Sequence, residues 1–419
     1  MNSRVGLRED AARRLPERRK VALLVVVAGL VGLFLFAWRW VPWSPVPGGF
    51  PVEADPGSVF TADQIARAEG FSRVARWLGW GSLALSTAIS LWLGFGTLGR
   101  RVASRLPGPG WLAVIQAVVL VLAVGRVATL PFSIAAWNWR RRYALTDQPL
   151  GGLLRDIGVS FAVTALITAV AVSFLVALAR RFPRAWPAVA GVGLAGLTLV
   201  VSFAYPVVVE PLYNDFHPLA HGSLRRQVLE LADQEGVGVS EVLVADASRR
   251  TTTLNAYVSG FGSSRRVVLY DTLLDSVPES QTLAVVAHEL THARERDVWW
   301  GSLMGAAGAL LGVGLLGLLM RSLDVAAVPR LLALITIGTL LATPVQSAIS
   351  RRIEWRADVG ALSAGANPEA MVEVQRNLAL RALADPTPPK LAYWLFGTHP
   401  LALQRVALAR QWDVPPRAE

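Results

Sequence analysis

Seven apolar runs constrain this chain more than any other feature. They lie at about 21–38, 77–98, 111–137, 157–179, 187–209, 301–320 and 328–349. As helices, all seven are long enough to cross about 30 Å of hydrocarbon. No water reaches a bilayer core, so a spanning segment must satisfy its own backbone hydrogen bonds, and a helix does. With 53% hydrophobic and 17% charged residues, the composition belongs to a polytopic membrane protein. Trp38, Trp77, Trp111, Trp137, Trp186 and Trp299 sit at run ends, where amphipathic rings favour the headgroup layer. The expectation is a mainly α, multi-pass integral membrane protein.

The first run follows seven Arg and Lys residues in 1–20. That order resembles a signal peptide, but no small-x-small cleavage site follows, so it reads as a retained span. A short polar helix is expected around 61–75, capped by Thr61. Arg126 lies well inside the third run and either faces an interior cavity or partner, or snorkels. The net charge of +11 comes from Arg flanking the apolar runs, with Lys only at 20 and 390. These residues read as topology anchors. No basic patch is interleaved with aromatics, so nucleic acid is not an expected partner. Without Cys, neither a disulfide nor a thiolate metal site is available.

The chain divides into a basic arm (1–20), spans one to five with their loops (21–209), a polar insertion (210–300), spans six and seven (301–349) and a C-terminal segment (350–419). The insertion reads as a helix at 224–236, a strand at 241–246 and a hairpin from 254–262 and 265–274. A helix starting at Ser280 or Thr282 then runs without a breaker into span six.

That helix carries HELTH, His288 to His292. Two imidazoles four apart share one helix face and can bind one Zn²⁺, while Glu289 between them can take a proton from a water the metal activates. An ordinary amphipathic helix with two exposed His is the bland alternative. Two His leave zinc one protein ligand short. Glu354 in RRIEWRAD is the candidate, although by residue type alone it could be a surface partner of Arg351, Arg352 or Arg356. Topology favours the ligand: HELTH precedes span six and Glu354 follows span seven, so both emerge on one side. Asp358, one turn later, is suited to hydrogen-bond a liganding His. His399 in GTHPLALQR could donate to an oxyanion or merely cap a helix. His217 and His221 receive no role.

Taken together, these residues resemble the integral-membrane zinc endopeptidases typified by the type I CAAX prenyl proteases. The likeness covers YPVVVEPLYNDFHPL (205–219), SRRTTTLNAYVSGFGSSRRVVLYDTLL (248–274), VVAHELTHARERD (285–297), EWRAD (354–358) and GTHPLALQR (397–405). It implies His288, His292 and Glu354 as ligands of one Zn²⁺ per chain, with Glu289 as general base. It implies an edge strand that pairs with substrate, with Asn255 and Ala256 beside the scissile bond, and a cleft lined by His399 and Arg405. It also implies seven helices enclosing a water-filled chamber, with a small α+β peptidase domain at the membrane boundary. The family cuts C-terminal tripeptides from prenylated proteins, with the zinc side cytosolic. Positive-inside counting points the other way, because the short segments on the N-terminal side carry more Arg. The early loop WNWRRRYALTDQ is more basic than is usual in the family, and HPL stands where HPP is common. The Arg-, Ala- and Leu-rich composition suggests a bacterial cell membrane. The expected substrates are peptides or membrane proteins, prenylated ones included, met in a lipid setting. A catalytically silent zinc-binding scaffold or receptor is the alternative, opposed by the intact Glu289.

Overall fold

The structure is a computed structural model that describes residues 2–260, 262 and 265–412, with only the main chain of 2–16. The side chains of most of the basic arm, much of the hairpin's Gly/Ser turn and the last seven residues of the C-terminal segment lie outside the described residues. The first half is helical: α1 (Asn2–Trp40), α2 (Ala62–Phe95), α3 (Thr97–Ala103), α4 (Gly110–Arg142), α5 (Leu150–Arg181) and α6 (Trp186–Val208). After β1 (Phe216–Pro218) come α7 (Ser223–Gln234), β2 (Glu241–Ala245), β3 (Ala256–Ser259), β4 (Arg266–Tyr270) and α8 (Asp271–Leu274). The chain closes with α9 (Glu279–Arg294), α10 (Asp297–Leu319), α11 (Val328–Ser363), α12 (Pro368–Ala382), α13 (Lys390–Phe396) and α14 (Ala402–Arg410).

Among the described residues, seven helices are long and apolar enough to cross a membrane: α1, α2, α4, α5, α6, α10 and α11. The chain is a multi-pass membrane protein. Thr61 caps α2 in a reciprocal box with Gln64, which satisfies two N-terminal amide groups that have no helical partner. The polar helix expected at 61–75 does not stop there; α2 continues through the second apolar run. Small residues let spans approach closely. On Gly29 of α1 a Cβ would lie 2.5 Å from the Leu311 amide nitrogen of α10. Arg126 is half-buried in α4.

The sheet has strand order β1-β2-β4-β3. β2 and β4 are parallel, and the outer strands pair antiparallel. β2 and β4 are apolar on both faces because both faces are covered. β1 had no sequence signal; three residues, FHP, carry too little periodicity to read. β3 is left on the open edge. α9 packs on β3, α7, α11 and α12, and its core includes Val286 and Leu290, both fully buried.

Two joints set the site, and the second departs from the sequence reading. α11 does not end at the membrane: it continues as one helix from Val328 through Glu354 and Asp358. α9, by contrast, does not run into α10. Arg296 takes φ 57°, ψ 40°, the left-handed region, and breaks the helix. The cause lies at Asp297, on which His292, Trp40 and Arg356 converge. In an unbroken helix Asp297 would point about 140° away from His292, and the break brings it back.

Where α11 crosses α9, a Cβ on Gly360 would lie 2.4 Å from Thr291 Cγ2 and 2.6 Å from its Oγ1. Gly360→Val is therefore expected to lower stability by about 1–3 kcal/mol and to weaken metal binding, with partial recovery on adding Thr291→Ala. Unchanged thermal stability and metal content in the single variant would contradict this packing.

Candidate active site

α9 presents His288 and His292 from one face, ring centroids 4.8 Å apart. Their Nε2 atoms face each other at 3.2 Å. α11 brings Glu354 between them, with Oε2 3.3 Å from His288 Nε2 and Oε1 3.6 Å from His292 Nε2. His288 is 7% exposed and Glu354 9%, so water does little to relieve this crowding.

Each imidazole is held from behind by a carboxylate. Nδ1 of His288 lies 3.0 Å from Asp358 Oδ1, and Nδ1 of His292 lies 2.8 Å from Asp297 Oδ2. A carboxylate can only accept, so Nδ1 is the donor and a neutral ring's Nε2 carries a bare lone pair. Two lone pairs and a carboxylate then converge on one point. Glu354 Oε2 is buried there without a hydrogen-bond partner. The arrangement is repulsive unless a cation occupies the centre. Ligands of a tetrahedral zinc ion, at about 2.0–2.2 Å each, sit roughly 3.3–3.5 Å from one another. The donor set therefore fits Zn²⁺: all three ligand atoms lie within 4.8 Å of one another, and their chemistry is His, His, carboxylate. In the metal-free protein a proton answers the same demand. Burial pulls the His288 imidazole down, but Asp358 and Glu354 outweigh it and push its pKa up to about 10.

Glu289 points into the same space. Burial raises its carboxyl pKa, partly opposed by the two His. Arg405 of α14 is buried against Asp358, its Nε donating to Oδ2 at 2.8 Å. Burial lowers the guanidinium pKa, but Asp358 more than compensates, so it stays charged. His399 lies closer to solvent, its side chain 60% exposed, with Nε2 3.5 Å from Glu354 Oε2. Thus His288, Glu289, His292, Glu354, Asp358, His399 and Arg405 form one cluster. Arg405 is bound to Asp358, so it acts as the support of that carboxylate as well as part of the cleft wall.

Asp297 was not anticipated. Its Oδ1 also accepts from Trp40 Nε1 at 2.9 Å and from Arg356. Its position five residues past His292 matches no one-turn spacing, so only the left-handed break reveals it. The counterpart on His288, Asp358, sits one turn from Glu354 and was readable.

Two cavities meet at the His288–His292–Glu354 cluster. One, about 430 Å³, is lined by His288, Glu289, Glu354, His399 and Arg405 together with Leu254 and Asn255. The other, about 560 Å³, is lined by Glu289, His292 and Glu354 together with Val258 and Gly260. β3 thus passes the centre from one cavity to the next. Asn255 is exposed and Ala256 buried at its start, and the Ala256 amide donates to Asn255 Oδ1 at 3.0 Å. A third cavity, about 810 Å³, opens among α5, α6 and α10 and shares Val258 and Gly260.

These features define a metal-dependent protease built into a membrane. Residues 218–413 match the model of peptidase family M48, and residues 64–215 match the CAAX prenyl protease N-terminal model, described as five membrane helices. The two matches together span most of residues 64–413, and the chain is a metalloprotease. It is 28% identical to an uncharacterized metalloprotease, YhfN, of Bacillus subtilis, over 95% of this chain and 98% of that one. A CAAX prenyl protease 1 homolog of Arabidopsis thaliana is 27% identical over 68% of this chain and 70% of the relative. The fold is that of the crystal structure of S. mikatae Ste24p, with TM-score 0.72 at 18% identity, covering 94% of this chain and 99% of that one.

Asp297→Asn is expected to lower zinc affinity by about 10- to 100-fold, because it removes the charge that fixes the His292 tautomer. Competition against a zinc chelator measures this, and unchanged affinity would show that Asp297 only braces Trp40 and Arg356.

Proposed function

We propose that this protein is a zinc-dependent membrane endopeptidase that cuts extended segments of lipidated or membrane proteins. The observation that carries the reading is the convergence of two His lone pairs and Glu354 on one point, with Glu289 alongside and an unpaired strand edge leading to it. His288, His292 and Glu354 would hold the ion. Zinc supplies Lewis acidity there, acidifying water toward neutral pH and polarising a peptide carbonyl.

The protein's own groups do the rest. Glu289, kept basic by burial, accepts the proton that water loses on attacking the carbonyl carbon. It returns that proton to the leaving amine as the C–N bond breaks. A ring N–H of His399, beside Glu354, would donate to the carbonyl oxygen as that atom gains charge. Arg405 and Asp358 hold His288, and Asp297 holds His292.

Substrate orientation would come from β3. Tyr270 N–H bonds to Asn255 C=O, and antiparallel alternation leaves the main-chain groups of Ala256 and Val258 on the open edge. An extended peptide there satisfies those groups, replacing Asn255 Oδ1 as the acceptor for the Ala256 amide, much as a further strand would. The largely apolar 810 Å³ cavity among α5, α6 and α10 adjoins the same edge. It supports a substrate that brings apolar material with it, in keeping with relatives named CAAX prenyl proteases. The silent-scaffold alternative has no support in the geometry, since Glu289 is in place.

The test is purified protein in detergent with an unstructured reporter peptide, with and without a farnesylated Cys. Wild type should cleave, lose activity to a chelator and regain it with zinc. Glu289→Ala should keep zinc and lose activity by roughly 100- to 10,000-fold, the usual worth of a general base. A Glu289→Ala protein that cleaves normally would refute the mechanism.

Val258→Pro removes one outward N–H without touching the ladder to β4. It should raise KM several-fold while zinc content stays the same. Unchanged KM would mean that substrate does not pair with this edge.

A further inference from the structure

One position on α12 breaks the pattern around it. Met371, Val374, Leu378, Ala379 and Ala382 form an apolar stripe that walls the 430 Å³ cavity, at the spacing of one helix face. Gln375 falls in the middle of that stripe and lines the same cavity. It is 4% exposed. Its Nε2 reaches only the Met371 sulfur, at 3.6 Å, and a thioether is a weak acceptor. Its Oε1 accepts no hydrogen bond among the described residues.

A buried amide paired this poorly costs stability that a Leu or Met at the same place would not. Stripe position, burial and shape all favour an apolar residue. A polar residue that breaks a local rule without local compensation marks a functional position. The cavity it faces also holds Glu289, Glu354, His399 and Arg405, so whatever fills it sits beside the reacting bond.

We propose that Gln375 determines specificity in this cavity by recognising an uncharged substrate side chain that carries both a donor and an acceptor, a carboxamide or a hydroxyl. This rests on the endopeptidase reading above. Oε1 accepts from the substrate's N–H or O–H, and the amide's remaining N–H donates back. A charged side chain would be desolvated against the apolar stripe. An apolar one would leave the Gln375 amide unpaired, which is how a polar pocket rejects an isostere. The residue concerned lies on the Asn255 side of the cleaved bond, because Leu254 and Asn255 line this cavity, whereas Val258 and Gly260 line the other.

The test uses zinc-loaded full-length protein and pairs of peptides that differ only by Gln or Met, which are close in size. The exchange is made at each of three positions on either side of a cleavage site mapped by mass spectrometry. Wild type should favour Gln over Met in kcat/KM by about 10- to 100-fold at one position, the range expected for an unpaired buried amide. Gln375→Met and Gln375→Leu should abolish or invert that preference and gain turnover on the Met peptide, with zinc content unchanged. Cleavage by wild type without Gln/Met discrimination, or a preference that survives in both variants, overturns this proposal alone. A zinc-loaded wild type that cleaves no peptide overturns the endopeptidase reading and this proposal with it.

Discussion

The structure depends on one electrostatic demand. Asp358 and Asp297 fix two imidazoles so that their Nε2 atoms confront each other at 3.2 Å, with Glu354 closing the third side. Packed without a cation, these groups repel; with one, they become a ligand set. Two distant stretches of chain must be brought together to meet that demand. His288, His292 and Asp297 come from α9 and the start of α10, and Glu354 and Asp358 from the C-terminal part of α11. A metal held by this set would couple its binding to assembly of the fold.

The membrane part supplies the rigidity. α11 carries Glu354 and Asp358 on the same unbroken helix that crosses the bilayer, so both carboxylates are fixed to the scaffold and not to a loop. Trp40, at the end of α1, donates to Asp297, and Arg356 of α11 joins it. The first span thus supports His292 indirectly. The His–His–Glu cluster is continuous with the spans, and the cavities extend from it to the space among α5, α6 and α10.

Much of this was legible in the sequence, for a stated reason in each case. Spans announce themselves because hydrocarbon allows almost nothing else. The meeting of two imidazoles is readable because one-turn spacing in HELTH aligns them, and that of Glu354 with them because two spans return the chain to the same side. The β3–β4 hairpin followed from alternation. Other features had no local signal. The break at Arg296 serves a contact to Asp297 that forms only in the folded protein, and Arg is an ordinary helix former. β1 is three residues long and owes its existence to β2. Gln375 stands in a stretch of mixed polar and apolar residues, and only packing sets it apart, by placing it on the buried face of α12. Sequence patterns report what a segment needs by itself, while the first two are answers to partners elsewhere in the chain and the third is set by tertiary packing.

The central claim is that His288, His292 and Glu354 hold one zinc ion. X-ray absorption at the zinc edge, with metal counting on detergent-purified wild type, tests it most directly. The account predicts one zinc per chain, with two imidazole nitrogens and a carboxylate oxygen at about 2.0–2.2 Å, and loss of the carboxylate in Glu354→Ala. A zinc-free protein after zinc loading, or a coordination shell unchanged by that substitution, would contradict it.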